Sequence, residues 1–567
     1  MAFVAAMSML AVSAVSNEPT LREANMQPLV NTPLTKQGVK GSDVYTEEGV
    51  GDPRVVLFTE LVRGQGYEYI DLCVKKILQT GSRDMYRDLV VMMFQCRDVR
   101  GGKGERDLFY NIFKAIHQEK PEWTPFLLTF APEYGCWKDL WKIATLMPEV
   151  SEMVERFVYH QFQLDQEAEY PSLLVKWLPR EGSKYEILSQ RFANVLFPFT
   201  PIEDNQRRRA YRKAVAYLNK KADTAEIKMC ANEWSTLVPK RIPGRLMKRN
   251  KYAFFNQKKG HNSSVEDRYP DREDRVKCKE HFEEFMEDVK SGKVEMKGAT
   301  TTMPHEHVHE ILHNHFLSQE VEDVIQAQWD AIRNEVLKGG SLNKVVPMCD
   351  FSGSMSGTPI EVSFALGILI SEIADPAFKD HILTFDSEPR WHSFAGKNSL
   401  KEKVLSVGSV GQGLSTDFQK ACDCILERMI EHKVAPADAP TDLLVLTDMG
   451  FDQACYMGTS SYNSYYSYNK KNQGWQTHFQ MIRSNFEKHG YQAPRIVCWN
   501  LRAEYKDFHA KAYEEGVVQL SGWSPSMLKA IQGKGIQVQT PYEGMRVILD
   551  DTRYDKVREL MKALLPA

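Results

Sequence analysis

Three separated stretches of this sequence carry oxygen ligands in a pattern suited to a hard divalent cation. Asp350-Phe351-Ser352-Gly353-Ser354 offers one carboxylate and two hydroxyls on a short loop. Mg2+ prefers oxygen ligands in octahedral geometry and keeps several waters, so such a loop supplies part of a shell. Gly353 and Gly357 are expected to let the backbone turn sharply enough for both serines to face the same way. Thr416, within Gly413-Leu414-Ser415-Thr416-Asp417, and Asp448, directly after Leu443-Leu444-Val445-Leu446-Thr447, add two more oxygens. Asp350, Ser352, Ser354, Thr416 and Asp448 are therefore the candidate ligands of Mg2+ or another divalent cation. Two aspartates balance its charge, which leaves an open position for a carboxylate from an acidic protein partner. A bare D-x-S-x-S is weak, because Asp and Ser also frequent helix N-caps. Its order with Thr416 and Asp448 strengthens it.

Positioning these loops requires strands that end where they begin. Lys344–Cys349, His381–Phe385, Leu443–Leu446 and Arg495–Trp499 read as buried strands. They alternate with helical patterns at Ile360–Ile373, Phe418–Ile430, Trp475–Lys488 and Thr552–Leu565. Such alternation predicts an α/β domain over 339–567 with a mostly parallel, Rossmann-like sheet, which binds ligands beyond the carboxyl ends of its strands. From 51 to 338 the pattern is helical throughout. The apolar runs Tyr69–Leu78, Leu89–Phe94 and Leu108–Ile116 are separated by short breaks, as in a helical-repeat domain of HEAT-like type. Residues 1–50, rich in small and turn-forming residues, read as a flexible N-terminal arm, with order beginning near Pro53. Tyr456–Gly474, with tyrosines among Ser, Asn and Gly, has the composition of an adaptable recognition loop and is expected to contact a ligand near the cation.

A second constellation points towards catalysis. His305-Glu306-His307-Val308-His309 matches H-E-x-x-H, in which two histidines one turn apart hold zinc and the glutamate activates water, and His313 and His315 lie close by. Pro304 places this match in the first turn of its helix, so a structural helix is the better expectation, with adventitious metal binding by the His cluster and a zinc peptidase as the alternatives. No P-loop or G-x-S-x-G elbow is present. The chain is read as a binding protein and not as an enzyme.

Charge narrows what it binds. The 567 residues carry a net charge of −3, yet between Asn205 and Gly260 sixteen Lys and Arg stand against three acids. That island includes Arg207-Arg208-Arg209, Arg212-Lys213, Lys240-Arg241 and Lys248-Arg249, an electrostatic footprint for a polyanion. Arg97, Arg100, Lys103 and Arg106 form a glycine-loosened basic turn. Lys138 beside Trp137 and Lys176 beside Trp177 could pair phosphate attraction with base stacking. The ten cysteines are scattered without C-x-x-C spacing, which suits a reduced, cytoplasmic protein. The weakly apolar run Met1–Val15 lacks the basic residue of a secretory signal, and no later run reaches the roughly 20 residues of a membrane span.

The three oxygen-bearing loops, taken in order, resemble the metal-ion-dependent adhesion site (MIDAS) of von Willebrand factor A (vWA) domains. Taken with Arg97–Arg106, Tyr134–Leu140, Lys176–Arg180, Tyr211–Lys213 and Ser352–Pro359, they resemble the Ro (TROVE) proteins. The likeness is greater to an uncharacterised family of Ro-like proteins with a C-terminal vWA domain, and it extends over about residues 50–567. Ro proteins close a ring of helical repeats with their vWA domain and bind structured small RNAs and single-stranded RNA ends. The resemblance therefore implies a ribonucleoprotein component whose helical domain holds RNA while its MIDAS recruits a protein. A metal-dependent scaffold without an RNA role is the alternative.

Overall fold

The computed structural model describes residues 34–39, 43–198, 204–259, 267–296, 298–314, 316–385, 389–408, 418–450, 475–532 and 539–565. Runs of β-branched and leucine residues form the centre of the larger sheet. The strands are β3 (Val345–Asp350), β4 (His381–Phe385), β5 (Arg390–Ser393), β6 (Asp442–Thr447), β7 (Arg495–Asn500) and β8 (Val517–Ser521), in spatial order β5-β4-β3-β6-β7-β8. Every residue of β3, β6, β7 and β8 is buried, as expected of strands covered on both faces. All neighbours pair in parallel except β5, which returns antiparallel to β4 at the edge.

From β3 the chain moves outward to β4 and β5, then crosses back to β6 on the other side of β3. The strand order therefore reverses between β3 and β6. A crevice opens at such a point beyond the carboxyl ends of the strands. The sheet strands expected from sequence are all present. β5, β8, the helix Leu400–Val407 and the helix Pro541–Leu549 are additional.

Every described secondary-structure element between Pro53 and Lys338 is a helix. Apolar faces at helical spacing bury Ile70, Val74 and Ile77 of helix Tyr67–Gln79 against helix Asp107–Glu119, which in turn packs on helix Arg83–Arg97. A second apolar cluster gathers Trp234, Phe254, Phe282 and Val324 around a pair of stacked rings, Phe254 and Phe282, whose centroids lie 4.5 Å apart. No helix among the described residues is long and apolar enough to cross a membrane. The nine described cysteines are all free thiols.

The segment before Pro53 departs from the expectation of a mobile arm. Strands β1 (Thr35–Gln37) and β2 (Asp43–Tyr45) form a hairpin. Tyr45 bridges to Phe508, and Lys36 donates to the Lys506 carbonyl at 2.8 Å. Val44, Tyr45 and Val50 are buried, so apolar contact with the α/β domain orders this stretch. Residues 1–33 lie outside the described residues.

The two regions share one core. The largest apolar cluster runs from Val55, Leu57 and Phe94 through Trp329 to Val518, Met545 and Met561. Helix Pro53–Glu60 packs on β8, and helix Asp555–Leu564 packs back on helix Arg83–Arg97. At the other end, helix Pro304–His313 packs on helix Thr358–Ile373. The helical region thus grips the α/β domain at both its start and its finish.

Glu60 lies within this junction, buried to 2% exposure, where it accepts a hydrogen bond from Gln65. Burial pushes its carboxyl up to about 8. An unfolded glutamate titrates near 4.3, so between these values the folded chain holds an extra proton. The corresponding stability is present in full below about pH 4 and is lost as pH rises through about 8. Glu60→Gln is therefore expected to match the parent near pH 4.5 and to exceed it by on the order of 3 kcal/mol at pH 8. Urea unfolding at the two pH values measures this, and parallel shifts at both would refute it.

Candidate metal centre

Asp350 ends β3 and Asp448 follows β6, so the carboxyl ends of two adjacent parallel strands carry the two acids into the crevice. Both are fully buried. The loop after β3 folds back at once: Ser352 N–H donates to Asp350 Oδ1 at 2.8 Å, and Thr447 Oγ1 donates to Asp350 Oδ2 at 2.8 Å. Ser352 and Ser354 bring their hydroxyls within 3.0 Å of each other. Gly357 adopts φ 91°, a conformation that favours glycine, and turns the chain into helix Thr358–Ile373. Gly353 keeps an ordinary φ, so only one of the two glycines is needed for its backbone freedom.

The electrostatics of the pair are unfavourable as they stand. Burial, and then the charge of Asp448, push the Asp350 carboxyl up to about 6. Asp448 Oδ1 accepts from Gly450 N–H at 3.0 Å, whereas Asp448 Oδ2 is buried with no hydrogen-bond partner among the described residues. An unpartnered buried carboxylate oxygen is costly and calls for an explanation such as an ion. Together with two adjacent serine hydroxyls, this donor set fits a hard cation. The backbone is also held in an uncommon state here. Met449 sits at φ 71°, and the buried ring of His509 fixes it by bonding the Met449 carbonyl at 2.7 Å. At the rim, Arg502 donates to the Ser354 carbonyl and pairs with Glu504. Thr416 and the Tyr456–Gly474 stretch lie outside the described residues.

The expected RNA-contacting residues divide into two groups. Arg97 and Lys103 are buried and so are removed from that set. Arg97 pairs with Asp139 at 2.9 Å, and the Lys103 ammonium donates to the Phe58 and Leu61 carbonyls and to Ser521 Oγ. Their turn is a joint between the two regions. Asp98 binds Arg553, and Glu105 pairs with Arg63, whose guanidinium lies 3.9 Å from the Trp523 ring. A Cβ on Gly102 would meet the Gln95 carbonyl at 1.8 Å, so this glycine serves close backbone packing. Arg100 and Arg106 are exposed on the same turn. Lys248 is held by Glu306 at 3.2 Å, and Lys176 by Glu226 at 2.6 Å.

The remaining cations face solvent more freely. Helix Asp204–Ala222 presents Arg209, Arg212 and Lys213 as exposed residues, with Arg207 and Arg208 partly covered. It packs against helix Leu174–Trp177, where Lys138 lies 4.1 Å from the Trp177 ring. Trp137 stacks on Phe157 and is thereby engaged. Lys240, Arg241 and Arg249 are exposed too, on elements of the second apolar cluster.

The H-E-x-x-H match from His305 to His309 is not assembled into a site. His305 is buried edge-on against Trp523, and burial pushes its ring down to about 3. Glu306 pairs with Lys248, and His307 bonds Thr302 at 3.0 Å. His309 instead faces another partner. With His313 it converges on Glu361, the three ligand atoms all lying within 4.8 Å of one another. His309-Glu310-Ile311-Leu312-His313 is itself an overlapping match of the same form, which could have drawn attention to this pair.

Two comparisons with known proteins bear on these elements. Residues 344–563, from the start of β3 to within the last helix, match a domain of unknown function (DUF7788). The chain is also similar to an uncharacterised protein of Acanthamoeba polyphaga mimivirus, 29% identical over 469 residues that cover 78% of this chain and 75% of the relative.

Proposed function

We propose that the protein works by binding, as a vWA-like module on a Ro-like helical scaffold. Asp350, Ser352, Ser354 and Asp448, joined by Thr416, would hold Mg2+ or a similar divalent cation and take a carboxylate of a protein partner at its open position. The buried Asp448 Oδ2, without a hydrogen-bond partner among the described residues and close to Asp350, carries this reading. When bound, the ion would supply the positive charge that the two carboxylates lack. The chain's own part is to fix the oxygens: the Ser352 amide and the Thr447 hydroxyl orient Asp350, and the Gly450 amide orients Asp448. Capture of partners on the immobilised full chain, with Mg2+ or with EDTA, tests it. Partners retained equally in EDTA would refute the reading.

RNA binding is a second activity in this proposal, favoured by the exposed basic helix Asp204–Ala222 beside Lys138 and Trp177. Counterion release makes such binding fall steeply with salt, with a slope of about −0.7 per neutralised phosphate on single strands. Exchanging Arg209, Lys213 and Lys220 for glutamine is therefore expected to flatten the log K against log salt slope by about 2. Filter binding of a single-stranded RNA across a salt series reads this directly. An unchanged slope would favour the scaffold without an RNA role.

A further inference from the structure

We propose that His309, His313 and Glu361 form a second metal site, one for Zn2+ or a similar transition-metal ion, that staples the helical region to the α/β domain. His309 and His313 stand one turn apart on helix Pro304–His313, so their rings share a face. Glu361 lies in the first turn of helix Thr358–Ile373, which packs against that helix. His309 Nδ1 approaches Glu361 Oε1 at 2.9 Å and Oε2 at 3.1 Å, and His313 Nε2 approaches the same Oε1 at 3.0 Å. The two ring centroids are 4.4 Å apart.

The chemistry of this cluster favours an ion over protons. Protonating both rings would set two cations side by side against a single carboxylate. Neutral imidazoles instead offer lone pairs, and two of them with one carboxylate form an N/O set suited to zinc. Bonds of about 2.0–2.1 Å in a tetrahedron separate ligand atoms by roughly 3.3 Å, so the observed 2.9–3.1 Å spacings to Glu361 need open by only a few tenths of an ångström. Glu361 is a preset anchor, with a side chain 7% exposed, while the histidine side chains are 59% and 61% exposed and free to adjust. The exposed side leaves a fourth position for water.

Hydrolysis is not the role assigned to this ion. Glu310, the residue that would serve as base in an H-E-x-x-H enzyme, is held by the buried Lys251 at 2.7 Å. It does not join the converging group. What the geometry offers is a bridge. Glu361 belongs to the helix that begins immediately after the Asp350–Gly357 loop, so the ion would fix that helix against the last part of the helical region.

Titration of the tag-free full chain with Zn2+ and with Co2+, in excess Mg2+, tests the site. The expected results are one tight equivalent, cobalt d–d absorption bands of a low-coordinate N/O site, and a raised melting midpoint with Zn2+. All three should be lost in His309→Ala/His313→Ala, whose targets are exposed, and Glu361→Gln should weaken Zn2+ at least about tenfold. Asp448→Ala should retain all three. Equal Zn2+ uptake and equal cobalt spectra in parent and double variant would overturn the proposal. So would a midpoint that responds to acidification but not to Zn2+, since the cluster would then be a hydrogen-bonded latch.

Discussion

Replacing Lys103 by methionine is expected to lower the stability of the folded chain by about 2–4 kcal/mol, because it removes three buried hydrogen bonds at once and leaves the Phe58 and Leu61 carbonyls only the Ser521 hydroxyl to share. The ammonium satisfies the Phe58 and Leu61 carbonyls and the Ser521 hydroxyl, all within the seam between helix Pro53–Glu60 and β8. A methionine fills similar space but donates nothing. The side chain is fully buried, and burial pulls its ammonium down to about 8. An unfolded lysine titrates near 10.4, so between these values the unfolded chain binds the additional proton. The parent should therefore gain on the variant as pH climbs from about 8 towards 10. Urea midpoints of both proteins at pH 7.5 and 9.5 measure the two effects. By contrast, alanine at the exposed Arg100 or Arg106 of the same turn should change stability by no more than about 0.5 kcal/mol. A methionine variant as stable as the parent would show that the seam does not depend on this ammonium.

Asp448→Asn is expected to move stability and binding in opposite directions. Without divalent ions the parent keeps two carboxyls buried close together, one with an oxygen that has no partner among the described residues. An amide there removes the like-charge repulsion, so the variant should be more stable than the parent in EDTA by about 1–2 kcal/mol. Added Mg2+ should raise the melting midpoint of the parent and leave the variant unmoved. Affinity for any partner captured through the cation should fall at least about 100-fold, more than the 10- to 100-fold typical of losing an outer hydrogen bond to a ligand. Calorimetric melts with and without Mg2+, alongside surface-plasmon titration of the captured partner, read both arms. A variant destabilised in EDTA would show that Asp448 is a structural acid, and the cation reading would fail with it.

Much of the α/β domain was legible because its central strands are buried on both faces and read as short unbroken apolar runs, as in Leu443–Leu446. The placing of Asp350 and Asp448 at the carboxyl ends followed from those strands, whereas the strand order, and with it the switch point, did not. β5 was harder: Arg390-Trp391-His392-Ser393 is a partly exposed edge with no apolar run to mark it. The basic turn from Arg97 to Arg106 misled for a different reason. Its glycines and cations match a phosphate-binding composition, but whether a lysine reaches solvent or three internal acceptors depends on segments 42 to 418 positions away. Lys103 meets Ser521 across 418 positions, a pairing that no local window contains. The H-E-x-x-H match paired His305 with His309, although His309 and His313 share the same four-residue spacing, and Glu361 enters only through the packing of two helices.

The seam that joins the chain's early and late helices also governs the order in which the molecule can be finished. Arg553 reaches Asp98 across 455 positions, and Met561 belongs to the same apolar cluster as Phe94. During synthesis the first helices leave the ribosome long before their covering helix exists. Their apolar faces must wait, open to chaperones or to wrong neighbours, until residues 541–564 emerge. Completion must therefore wait for residues 541–564 to be made, and a premature stop near position 540 would leave the early helices without their cover.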